Sequence, residues 1–171
     1  MKPSNRLLYE YFEEYASERG NDTFLFDEKI CYTVARAFNI AKSLARQLQN
    51  AGIKRGDFVA IKAERTLRTI LLFYALQFIG GVAVLRDPHE NTDGKIRIID
   101  DRLSLGKTET VLAFDERDVS GLRLAAKSRS TSAVIFTSGS TGEKKAVCLS
   151  QYNFINNSLD TLHIGGYRED D

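Results

Sequence analysis

An α/β fold, with a mostly parallel sheet flanked by helices, is what this sequence predicts, and three observations carry the prediction. Strand-like and helix-like patterns alternate along the chain instead of segregating into blocks. The apolar runs 58–61 and 82–85 bracket a single helical pattern, the mark of a βαβ unit with a right-handed crossover. Those runs also lack polar alternation, as strands covered on both faces do.

Each element has its own local signal. Leu8, Tyr11, Phe12 and Tyr15 recur at i, i+3, i+4 and i+7, predicting an amphipathic helix of about four turns, with Ser4 placed to cap it and Gly20 beyond its end. Runs 23–26 and 30–32 flank the polar turn Asp27, Glu28 and Lys29 and predict a hairpin. Thr33 caps a second helix whose inner face is Ala37, Ile40, Ala41, Leu44 and Leu48; Arg36, Lys42, Arg46 and Gln49 are expected to form a solvated face. Gly52 supplies its left-handed stop, and Gly56 with Asp57 a turn into the first buried strand.

Thr66 caps a third helix with Ile70, Leu71, Tyr74 and Phe78 inward, ended by Gly80 and Gly81. Residues 69–85 hold 17 positions without a charge, yet Gln77 and the glycine pair interrupt them, and a membrane span needs roughly 20 apolar residues. A buried helix followed by a buried strand is the expectation. Between 89 and 132 the pattern weakens, with 95–101 reading as helix and 110–114 as strand. Gly106, Lys107 and Thr108 invite a phosphate-loop reading, but the earlier glycine of that motif would fall at Asp101, so it is rejected. Arg123, Lys127 and Arg129, set among Ser128 and Ser130 without interleaved aromatics, read as a solvated linker and not as a nucleic-acid patch. The organisation expected is a helix and hairpin over 1–32, a βαβ unit over 33–88, the weakly patterned segment 89–132, and a loop with its following helix over 133–171.

Composition narrows the function. Hydrophobic residues at 43% and charged residues at 27% exclude wholesale disorder. Twenty-four Lys and Arg against 23 Asp and Glu leave a net charge of +1, so no whole-molecule field draws in nucleic acid or anionic membrane, and any anion site must be local. Cys31 and Cys148 have no CxxC spacing; neither zinc nor a disulfide framework is suggested, both thiols are expected to pack as small hydrophobes, and a reduced cytoplasmic setting follows. The first residues lack the apolar region of an export signal. His89 and His163 have no spaced partner and are read as surface or helix-end residues.

The segment that carries chemistry is the loop between two strand-like runs, 133–136 and 146–149. Gly139 and Gly142 allow backbone N–H groups to converge on an oxyanion without an intervening Cβ. Thr137, Ser138, Ser140 and Thr141 add four hydroxyl donors, and Lys144 and Lys145 add positive charge. Polyphosphate binding needs that combination. A flexible Gly/Ser linker would not be clamped between two strands, and the glycine spacing is not that of a dinucleotide fold. Downstream, Ser150 caps a further helix starting at Gln151, with Leu149 and Phe154 as a staple and Gly165 and Gly166 at its end.

These residues resemble the phosphate-binding signature of the adenylate-forming superfamily, which includes acyl-CoA synthetases, amino-acid adenylation domains of peptide synthetases and luciferases. Thr137, Ser138, Gly139, Ser140, Thr141 and Gly142 fit the signature, Lys145 takes its lysine position, Val147 its valine and Asn153 its asparagine. Weaker matches run upstream, in order, at 30–33, 56–61 and 80–85. Lys144, Ala146 and Gln151 stand where the family has proline, glycine and histidine.

The resemblance implies the first subdomain of an AMP-binding enzyme: the N-terminal part of an ATP-dependent, AMP-forming acid–thiol ligase of acyl-CoA synthetase type. Such an enzyme uses ATP and Mg2+, activates a small-molecule carboxylate as an acyl-adenylate, and passes the acyl group to CoA. Thr137, Ser138, Gly139, Ser140, Thr141, Gly142 and Lys145 would then hold the ATP phosphates. No residue here takes a catalytic or metal-ligating role, because the family's adenine, ribose and lysine motifs come later. The chain by itself is therefore expected to be inactive and, with an uncovered sheet edge, to self-associate. An amino-acid adenylation fragment, whose loops often carry Gly-Ser-Thr-Gly, and a non-catalytic anion-binding module are the alternatives.

Overall fold

Apolar side chains at helical spacing and β-branched runs sort the described residues into one seven-stranded sheet, a small two-stranded ribbon and four helices. The computed structural model describes residues 3–26, 30–87, 96–137 and 144–165. In order, the elements are α1 (Leu8–Glu18), β1 (Thr23–Phe26), β2 (Cys31–Thr33), α2 (Val34–Asn50), β3 (Phe58–Lys62), α3 (Leu67–Ile79) and β4 (Val82–Arg86). Then come β5 (Ile96–Ile99), β6 (Arg102–Leu105), β7 (Thr108–Val111), β8 (Thr131–Thr137), β9 (Lys145–Ser150) and α4 (Gln151–Gly165).

The large sheet runs β7-β6-β5-β3-β4-β8-β9. Its centre is parallel, since β3 pairs with β4 and β5, and β4 with β8. Its margins are antiparallel hairpins, β5-β6-β7 on one side and β8-β9 on the other. The α/β class and the βαβ unit from β3 through α3 to β4 are thus as expected, with the parallel portion confined to the middle. Val59, Ile61, Ala83, Ile98 and Ala133 share one core with Phe12 of α1 and the buried faces of α2 and α3. Ala60, Val82 and Val134, pointing to the opposite face by strand alternation, are buried as well.

Local signals place the helices. Thr33 Oγ1 accepts from the Arg36 N–H at 3.3 Å and Thr66 Oγ1 from the Thr69 N–H at 3.2 Å, so both caps form. Ala37, Ala41, Leu44 and Leu48 are fully buried and Ile40 nearly so. Gly80 ends α3 at φ 73°, and a Cβ there would meet Ala125 O at 2.9 Å, so left-handed backbone and close packing both require glycine. Leu71 and Phe78 point inward as expected, whereas Ile70 and Tyr74 are half-buried. Among the described residues no helix is long and apolar enough to cross a membrane.

Six expectations are corrected. The helix read over 95–101 is strand β5 from Ile96: Ile98 is buried and Arg97 exposed, a two-residue alternation satisfied by pairing with β3. The strand read at 110–114 is β7, Thr108–Val111, and Gly106, at φ 62°, turns the hairpin between β6 and β7. Ser4 does not cap α1; its hydroxyl accepts from the Arg6 N–H and the Tyr11 hydroxyl, while the Glu10 carboxylate accepts from the Leu7 N–H at 2.6 Å.

The polar side of α2 is not simply solvated. Gln47 exchanges two hydrogen bonds with the Ala113 backbone and Gln49 two with that of Arg123, while Arg46 donates to Gly121 O. Those contacts strap the irregular segment 112–130 onto the helix, so it is no loose linker, although Arg123, Lys127 and Arg129 remain exposed. Cys31 and Cys148 are both exposed and unpaired, because β2 belongs to a two-stranded ribbon and β9 is a marginal strand.

Candidate functional site

Open α/β sheets bind ligands beyond the carboxyl ends of their strands, where spatial order departs from chain order. Here β4 follows β3 on one side, β5 returns to the other side of β3, and β8 lands beside β4. At that carboxyl end β8 turns into β9. The last pair of the hairpin is Thr137 with Lys145, and the Thr137 hydroxyl donates to Lys145 O at 3.4 Å. The two ends of the loop are therefore brought together beside the central strands. Ser138, Gly139, Ser140, Thr141 and Gly142 lie outside the described residues.

Polar contacts fix the start of α4, directly after the hairpin. Ser150 and Asn153 form a reciprocal cap: the Ser150 N–H and hydroxyl donate to Asn153 Oδ1 at 2.9 and 2.7 Å, and the Asn153 N–H donates to Ser150 Oγ at 3.2 Å. Gln151, standing where the resemblance expects histidine, is 1% exposed. Its Oε1 accepts from the Leu8 N–H at 2.9 Å and its Nε2 donates to Gln77 O at 2.9 Å. One amide thus satisfies an orphan donor in the first turn of α1 and an orphan acceptor in the last turn of α3. Gln77, fully buried, donates from Nε2 to Ser132 O at 3.0 Å, beside the register shift where β8 begins. These four groups tie α1, α3, α4 and the hairpin strands into one unit.

Two cations that sequence reading missed stand at the same end of the sheet. Lys62 ends β3 and Arg86 ends β4, and they are register partners. The Arg86 guanidinium lies over the Phe136 ring at 4.8 Å from its centroid. No sequence signal could have joined them, because their adjacency comes from strand register alone. His163 sits exposed in the last turn of α4, a helix-end residue as expected; His89 lies outside the described residues. Among the described residues no group of three or more His, Cys, Asp or Glu converges. An apolar groove of about 470 Å³ opens nearby, lined by Ile70, Phe73, Leu85 and Phe154 with Glu64 and Thr69 at its rim.

A sheet of this topology, with a glycine- and hydroxyl-rich hairpin loop at its carboxyl end, is the architecture of the adenylate-forming enzymes. The chain belongs to the AMP-binding enzyme family, which it matches over residues 12–101. Malpibaldin synthetase of Mortierella alpina is 28% identical over 164 residues, 85% of this chain and 3% of that protein. The 2-succinylbenzoate–CoA ligase of Bacillus thuringiensis subsp. konkukian (strain 97-27) is 26% identical over 143 residues, 75% of this chain and 30% of that one. Among solved structures, the nonribosomal peptide synthetase FmoA3 superposes with a TM-score of 0.78 at 19% identity, covering 98% of this chain and 19% of that chain. The chain spans less than a third of each of these proteins.

Proposed function

We propose that this chain is the phosphate-binding first subdomain of an enzyme that activates a carboxylate as an acyl-adenylate, and that loop 137–145 holds the β and γ phosphates of ATP. The observation that carries this reading is the in-register closure of Thr137 on Lys145 at the carboxyl end of the central parallel strands. In the reaction a carboxylate oxygen attacks the α-phosphorus, a P–O bond forms, and the bond to the departing pyrophosphate breaks. Charge grows on the pyrophosphate as it leaves. The hydroxyls of Thr137, Ser138, Ser140 and Thr141, the backbone N–H groups at Gly139 and Gly142, and the Lys145 ammonium supply fixed donors for that charge. Mg2+ accompanying the nucleotide would neutralise phosphate oxygens; no residue of this chain is assigned to it.

An amino acid is the carboxylate favoured here, with a carrier-bound thiol as acceptor. The Gly-Ser-Thr-Gly form of residues 139–142 and the longer match to a synthetase support that choice. The match to a ligase named for CoA supports a second reading, transfer of the acyl group to CoA. A reduced cytoplasmic setting fits the two unpaired thiols.

The test is a titration of the 15N-labelled chain with inorganic pyrophosphate. Amide resonances of Thr137, Gly139, Gly142 and Lys145 are expected to shift, and Lys145→Ala to weaken binding about tenfold, the value of one charge-assisted contact. Unmoved resonances in that loop would remove the reading.

A further inference from the structure

We propose that Lys62 and Arg86 form a second oxyanion site, for a phosphate group, on the sheet face opposite the one that Thr137 and Lys145 point toward. Strand alternation places it. Phe58, Ala60 and Lys62 pair with Val82, Val84 and Arg86, and Val84 pairs with Val134, so Lys62, Arg86 and Phe136 share one face. Thr137 and Lys145, one step further along the β8-β9 ladder, belong to the other face.

Like charges in register on neighbouring strands stand about 5 Å apart at their backbones and repel. Among the described residues neither Lys62 nor Arg86 has a carboxylate partner. Glu64 and Asp100 line the small cavity of about 140 Å³ that Lys62 also lines, yet neither reaches ion-pair distance of it. Arg86 is half-buried, and its Nε–H, sealed from solvent, has no hydrogen-bond partner among the described residues. A buried donor of this kind carries a cost that a native protein ordinarily offsets with a partner. Phe136 covers the guanidinium from one side, with its ring centroid 4.8 Å from Cζ.

Two cations at register-partner positions, one of them a guanidinium covered on one side by an aromatic ring, suit a dianion with tetrahedral oxygens better than a single carboxylate. The chemistry is that of a phosphate monoester or of one phosphate of a polyphosphate. It does not depend on the loop reading, because residues and sheet face both differ.

The experiment is the same titration of the 171-residue chain, read at different resonances and run with inorganic phosphate, inorganic pyrophosphate and acetate. Phosphate and pyrophosphate are expected to shift the amides of Lys62, Ala63, Arg86 and Asp87, and acetate at equal ionic strength to leave them in place. Lys62→Met and Arg86→Leu, made singly so that at least one folded variant is available, should each weaken that response about tenfold, whereas Lys145→Ala should leave it unchanged. Shifts confined to the loop would overturn this inference and leave the loop reading standing. Shifts at Lys62 and Arg86 alone would do the reverse. Equal responses to acetate and phosphate, or responses that persist in both variants, would also overturn it.

Discussion

Replacing Gln151 by alanine should destabilise the chain far more than a one-residue polar change at the start of a helix ordinarily does. Gln151 is 1% exposed, and its amide makes two hydrogen bonds of 2.9 Å, accepting from Leu8 N–H and donating to Gln77 O. Neither partner has another use for that valence: Leu8 opens α1, whose first N–H groups have no intrahelical acceptor, and Gln77 lies in the last turn of α3, where Gly80 and Gly81 both donate to Leu76 O. Alanine therefore strands one buried acceptor, at about 2 kcal/mol, and one partly buried donor, at about 1 kcal/mol, for a total of about 3 kcal/mol. In a domain of this size that lowers the thermal midpoint by roughly 6–12 °C. Thermal and urea unfolding followed by circular dichroism would measure it. A Gln151→Ala chain within about 0.5 kcal/mol of the parent would refute the bridging role, since that is the range of a surface substitution.

Two further outcomes rest on the geometry. Gly80→Ala forces a Cβ onto Ala125 O at 2.9 Å in left-handed backbone and should cost about 2 kcal/mol or more, while Gly106→Ala, also left-handed but with open space around it, should cost about 1 kcal/mol; equal costs would deny the close packing at Gly80. Tyr9 has its phenol pushed up to about 12 by burial and by its hydrogen bond to Glu13. Since the folded value lies above the unfolded 10, this contribution is full below pH 10 and disappears as pH rises through 12. The unfolding midpoint should fall across that window, and Tyr9→Phe should flatten the fall; an unchanged pH profile in Tyr9→Phe would contradict the assignment.

The parts of the fold that were legible in the sequence are those set by local chemistry. Thr33, Thr66 and Ser150 each announce a helix because a cap needs only a hydroxyl and a neighbouring N–H, and the face of α2 declares itself through five apolar residues at helical spacing. The residues of β5 offered no comparable signal. Four residues with three isoleucines satisfy either period, and only the partner strand β3 decides between them. Burial misled at the cysteines for a related reason, since exposure at Cys148 comes from β9 being marginal in the sheet, a property of topology.

The site divides the same way. Thr137 and Lys145 were legible because the loop carries its donors in one short stretch, and the hairpin brings those two ends into register. Lys62 and Arg86 were not, because 24 positions separate them in sequence and a strand pairing joins them. Gln77, read only as an interruption in an apolar stretch, and Gln151, read only as a departure from a family pattern, prove to be bonded through the same helix terminus. A polar residue in an otherwise buried helix tells a sequence reader that a partner exists without saying which.

The most direct test of the phosphate-loop assignment compares affinities of this chain for inorganic pyrophosphate and for AMP by calorimetry. Loop 137–145 is assigned the β and γ phosphates alone, so with the second site removed by Arg86→Leu pyrophosphate should bind at least about tenfold more tightly than AMP, and adding Lys145→Ala should abolish the difference. AMP binding as tightly as pyrophosphate, or a preference for pyrophosphate that survives Lys145→Ala, would contradict the assignment.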